Sequence, residues 1–119
     1  GNLYTGIHVT YFENGNKSGS LQIVNGLIQG KATYFYENGK TKEIGQFIDG
    51  KKEGEWIKYD EKGNIIGKAF FKNDLKHGKW EIFSSNGTRI FEMYYDGGKS
   101  TGTWKQWDVK GSLSETRNF

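Results

Sequence analysis

The 119 residues predict an all-β protein, an antiparallel meander of about ten strands built from tandem β-hairpins. Three observations carry this. Glycines recur at a fixed step of 24 residues. Aromatic residues recur in columns at the same step. Turn signals separate segments of strand length and strand composition, in a chain with 18 Gly and no Pro. Without Pro no strand loses a ladder donor to it. An aromatic content of 16% also sets the chain apart from disordered sequences, which are poor in rings.

The repeat orders the chain. Gly6, Gly30, Gly54, Gly78 and Gly102 each open a unit, so that one array over 1–119 divides into units of about 6–29, 30–53, 54–77, 78–101 and 102–119. Nine residues into each unit stands a second glycine: Gly15, Gly39, Gly63, Gly87 and Gly111. A third series runs Gly26, Gly50, Asp74, Gly98. Between them lie Tyr11, Phe35, Tyr59, Phe83 and Trp107, then Ile23, Phe47, Phe71, Tyr95 and Phe119. Trp56, Trp80 and Trp104 form a further column, whose earlier places hold His8 and Ala32.

Each unit reads as one hairpin. Asn38-Gly39 and Asn86-Gly87 are two-residue hairpin signals, a turn that needs positive φ at both central residues. Lys62-Gly63 and Lys110-Gly111 fit that turn less well and suggest a bulged variant. The link Asp49–Gly54 is a second turn. A lone hairpin is marginal in water, so stacked units must cover one another. Strict alternation puts the Trp column and the aromatic column three residues later on opposite faces. Either a bulge resets the phase or both faces are partly apolar. The small residues Gly45, Gly67 and Ala69 would leave room for Trp56 and Trp80 to lie flat across the sheet, with Gly67→Val as the test.

The unit Gly-x-Trp-x-x-aromatic, then Asn-Gly-Lys, an aromatic and Asn/Asp-Gly-Lys-x-x-Gly resembles the MORN repeat, in the variant form found in bacterial proteins. Gly54, Trp56, Tyr59, Gly63 and Phe71 carry it, as do Gly78, Trp80, Phe83, Gly87 and Tyr95. The resemblance spans essentially the whole chain and departs from the pattern at His8, Ala32 and Asp74. It implies a single-layer antiparallel sheet, elongated and twisted, that serves as a non-catalytic scaffold for protein–protein interaction, including neutralisation of a partner as in antitoxin-labelled relatives. It also implies a peripheral binder of acidic phospholipid surfaces as an alternative. Cell-envelope glycan binding is a further alternative, since Trp and Gly repeats of similar size occur in wall-binding proteins.

Little else in the chain suggests chemistry. His8 and His77 stand apart, no Cys is present, and the carboxylates are scattered, so no catalytic or metal-binding set and no cofactor is expected. A net charge of +3 with mixed signs does not point to nucleic acid. No apolar run approaches a membrane helix. The chain opens GNLYTG without Met, so both a cytoplasmic protein and a secreted or periplasmic one with its leader removed stay open. The aromatic columns read either as core or as an exposed binding strip, the strip comprising Trp56, Trp80, Trp104, Tyr34 and Tyr94. The final strand SLSETRNF offers an open edge for a partner or for self-association.

Overall fold

A computed structural model describes residues 3–119; positions 1 and 2 of the 1–119 array lie outside the described residues. Eleven strands follow in order: β1 (Gly6–Tyr11), β2 (Lys17–Val24), β3 (Leu27–Phe35), β4 (Thr41–Ile48), β5 (Lys51–Tyr59), β6 (Ile65–Lys72), β7 (Leu75–Lys76), β8 (Gly78–Phe83), β9 (Arg89–Asp96), β10 (Lys99–Trp107) and β11 (Leu113–Asn118). They form one antiparallel sheet in sequence order, with the two-residue β7 pairing β6 beside β8. The molecule measures 54 × 33 × 16 Å, and its radius of gyration is 16.8 Å. A compact domain of this length would give about 13.5 Å. The chain is therefore a slab one sheet thick, with no second layer among the described residues.

Two kinds of turn alternate; the bulged form expected at Lys62-Gly63 and Lys110-Gly111 is found at every tip, and the two-residue turn expected at Asn38-Gly39 and Asn86-Gly87 is corrected. The five hairpin tips are all three-residue bulged loops. At the second tip Gly39 N–H donates to Tyr36 O, Tyr36 N–H donates to Lys40 O, and Gly39 has φ +89°. Asn38 does not have positive φ. This is a type I turn closed by one left-handed residue, which is why Lys62-Gly63 and Lys110-Gly111 serve as well as Asn-Gly. The tight two-residue turns sit at the links instead: Asn25-Gly26, Asp49-Gly50, Asn73-Asp74 and Gly97-Gly98 all have positive φ at both residues. Asp74, the exception in its glycine column, adopts φ +68° and accepts the Lys52 N–H on its own carboxylate at 2.8 Å.

Both turns are stitched to their neighbours. Gly26, Gly50, Asp74 and Gly98 donate their N–H groups to Tyr4, Ile28, Lys52 and Lys76 carbonyls at 2.8–3.0 Å. At the tips, Asn14 and Asn38 donate from Nδ2 to the Glu37 and Glu61 carbonyls of the following tip, each at 3.1 Å. Asn38 Oδ1 also accepts the Lys40 N–H. The asparagine thus shapes its own turn and holds the next one.

The register settles the question of faces. Ile44 pairs Ile57 and Gln46 pairs Glu53, so Gly45 alone stands opposite Gly54, Glu55 and Trp56. Two extra residues bend the strand but keep the alternation, so the phase is not reset. Trp56 pairs Ala69 on one face, and the Phe83 and Trp107 rings lie on the other, beside Lys68 and Arg89. Both faces are therefore partly apolar. Gly54 sits in the bulge at φ +73°, where a side chain would meet the amide of Gln46 at 2.9 Å.

The buried core is small: Ala32, Phe47 and Trp56, with Leu21, Ile28, Tyr34, Ala69 and Phe71 packed around them. Gly45 makes this possible. A Cβ at that position would lie 2.0 Å from Trp56 Cδ2, so the indole rests directly on the backbone. Gly67 has no such role. Its Cβ would meet only Lys58 Cβ at 3.7 Å and Glu81 O at 3.8 Å, so the expectation that Gly67→Val probes an overlying indole is corrected to Gly45.

Candidate functional site: an aromatic face

The Trp column and the Phe47/Phe71/Tyr95/Phe119 column interleave on one face, because cross-strand pairing in the sheet brings each Trp between two members of the other column. Phe47 meets Trp56 edge-on at 5.1 Å between centroids, Trp56 meets Phe71 at 6.4 Å, and Phe71 meets Trp80 at 5.1 Å. The ladder continues through Tyr95 at 5.3 Å, Trp104 at 5.2 Å and Phe119 at 4.5 Å. Tilted and edge-on contacts of this kind add roughly 0.5–1.5 kcal/mol each beyond area burial.

Of the five residues expected to form a strip, four share this face. Tyr34 stacks on Trp56 at 6.5 Å, and Trp80 and Trp104 are half-buried members of the ladder. Trp56 is only 2% exposed and belongs to the core rather than to an exposed strip, because Gly45 lets it sink onto the sheet. Tyr94 is on the opposite face: it pairs Lys79 and packs over Gly102, where a Cβ would stand 3.6 Å from its own.

The ring nitrogens show the same division. Trp80 Nε1 donates to Phe70 O at 2.9 Å and Trp104 Nε1 to Tyr94 O at 3.0 Å. Trp56 Nε1 is buried without a partner. An unpaired buried donor costs about 1–3 kcal/mol, which the Tyr34, Phe47 and Phe71 contacts must offset.

Cations sit on the ladder. Lys52 Nζ lies 4.6 Å from the Trp56 ring and 4.8 Å from Phe71. Lys76 Nζ, one repeat later, lies 4.9 Å from both Trp80 and Tyr95. Arg117 covers Phe119 at 4.9 Å. These residues had no place in the expected strip, although a signal existed: Lys52 and Lys76 stand 24 residues apart in the column that also holds Ile28 and Ser100.

The other face carries the charge network. Glu81 and Glu92 pair directly across strands, and Glu92 is buried. Arg89 Nη1 reaches Glu92 at 2.9 Å and Glu81 at 3.2 Å while stacking on Trp107 at 4.6 Å. Lys79 Nζ lies 3.5 Å from Glu92. Elsewhere His77 Nδ1 stands 3.7 Å from Asp96 Oδ1, both exposed. Among the described residues no group of three metal-ligating side chains gathers, and no helix is long and apolar enough to cross a membrane.

A profile of the MORN repeat variant matches residues 28–49, 52–73 and 76–96, more than half of the chain. The chain belongs to the MORN repeat family. The MORN repeat profile itself matches residues 44–55 and 69–79. These matches cover the interleaved ladder from Phe47 to Tyr95, together with Lys52 and Lys76. No curated protein matches the chain. Among solved structures the chain is similar to the Glycosylation Associate Protein (Gap123) complex from Streptococcus agalactiae, at 18% identity and a TM-score of 0.48. That alignment covers 88% of this chain and 19% of the other, so this chain spans less than a fifth of that protein's length.

Proposed function

We propose that this MORN array is a non-catalytic scaffold that binds a protein partner on its aromatic face. The observation that carries the reading is the uncovered ladder. An antiparallel sheet ordinarily packs its apolar face on a core. Here the rings from Phe47 to Phe119 run along a slab with no covering layer among the described residues, and Ile82 on the same face is 41% exposed. Half-buried aromatic rings on a pre-formed surface supply binding area at low conformational cost. Neutralising a partner, as in antitoxin-labelled relatives, is one use of such a surface.

The test is site-specific cross-linking in the native host. A photo-reactive phenylalanine analogue replaces Ile82 on the aromatic face or Phe70 on the opposite face; both are exposed. The expected result is a discrete protein adduct from position 82, absent from position 70 and diminished by Trp80→Ala. Equal adducts from both positions, adducts from 70 alone, or lipid adducts alone would sink the reading.

A further inference from the structure

We propose that the aromatic face takes an acidic, extended protein segment laid across the strands, its carboxylates over Lys52, Lys76 and Arg117. This rests on that face being the protein-binding surface, and it names the chemistry of the occupant. Following the pairing register, the charged residues of the face are Lys52, Lys58, Lys76 and Arg117 against Glu43 and Glu115. Glu43 pairs Lys58 directly across strands. Lys52, Lys76 and Arg117 rest on rings instead. Among the described residues, every ion pair lies away from these three: His77 with Asp96, and Lys79 and Arg89 with Glu81 and Glu92.

A ring orients a cation without neutralising it. On the opposite face Lys79 and Arg89 are matched by Glu81 and Glu92, whereas Lys52, Lys76 and Arg117 are held on rings and presented, already positioned, to whatever lies above. Lys52 on β5 and Lys76 on β7 are two strand steps apart, about 9.6 Å. An extended guest in the polyproline II conformation, with three residues per turn and a rise of about 3.1 Å, returns a side chain to the same side every three residues, about 9.3 Å. A guest with acidic residues about three apart, and apolar groups between them to meet the rings, matches the Lys52–Lys76 pair in charge and in spacing. A bilayer matches it less well. Lipid-binding patches gather roughly four to eight basic residues. This face carries four cations against two carboxylates, with three of the cations folded onto rings.

The experiment is fluorescence anisotropy with a labelled peptide of about 15 residues bearing Glu at every third position, and its counterpart with Lys for Glu. The Glu peptide is expected to bind, and the Lys peptide to bind at least about tenfold more weakly. Raising salt from about 50 to 500 mM weakens the complex. The Lys52→Gln/Lys76→Gln double variant is expected to lose at least about tenfold in affinity, with circular dichroism showing the sheet intact. Equal binding of the two peptides, no binding of either, an unaffected double variant, or binding confined to phosphatidylglycerol vesicles would each overturn the proposal. Protein adducts from position 82 that persist in the double variant would overturn the acidic guest while leaving the face as the binding surface.

Discussion

Gly45→Ala isolates the contact on which the core depends. The new Cβ would stand 2.0, 2.2 and 2.5 Å from three atoms of the Trp56 indole, where ordinary contact begins near 3.4 Å. The indole must move by more than an ångström, and Gly45 opposes three residues of a bulge, so the backbone has little room to yield. Overpacking of this kind costs about 1–3 kcal/mol. Displacing Trp56 also loosens its contacts with Tyr34, Phe47 and Phe71, each worth roughly 0.5–1.5 kcal/mol. A loss of about 3 kcal/mol is expected, a fall in Tm of about 10 °C for a domain of this size. The control is Gly67→Ala, the same substitution at a site with no contact under 3.7 Å. It should fall within about 1 kcal/mol of the parent. Thermal melts by circular dichroism read both, and Trp56→Ala supplies the cycle: without the indole, Gly45→Ala should cost almost nothing further. Equal melting of the two alanine variants would refute the account.

Other outcomes follow from the same geometry. Arg89→Ala leaves Glu81 and Glu92 facing each other with Lys79 alone between them; a loss of about 1–2 kcal/mol is expected after allowing for the half-exposed guanidinium, with Glu92→Gln restoring part of it in chemical denaturation. Asn38→Ala removes the bonds to Lys40 N–H and Glu61 O and should cost about 1 kcal/mol, read by the same melts. The Asp60 carboxyl is held well below its usual range, chiefly by the Asn64 backbone N–H, then by the Asn64 side chain. A depressed folded-state pKa stabilises above the unfolded value, here near 3.8, and that contribution is lost as pH falls through the folded pKa. Asp60→Asn should therefore melt below the parent at neutral pH, and the gap should close in acid below about pH 4.

Much of the fold was legible because a repeat is a one-dimensional signal. The 24-residue step, the all-β class and the meander follow from residues near one another in the chain. Function was less legible, because it depends on which columns meet across strands. Trp56 and Tyr94 both looked like members of one strip, yet one is core and the other is on the far face. Lys52 and Lys76 belonged to no expected site, and only strand pairing sets them above the rings.

The sequence by itself determined where the glycines stand, how long each hairpin is and which family the chain resembles, since these depend on local backbone conformation and spacing. Tertiary structure decided the turn types and the faces. Asn25-Gly26 and Asn38-Gly39 are the same dipeptide, but one closes a tight two-residue turn and the other a bulged tip. The physical reason is that a turn takes its form from the register of the strands it joins. That register is fixed by hydrogen bonding and by the fit of rings such as Trp56 onto Gly45, which no single strand contains.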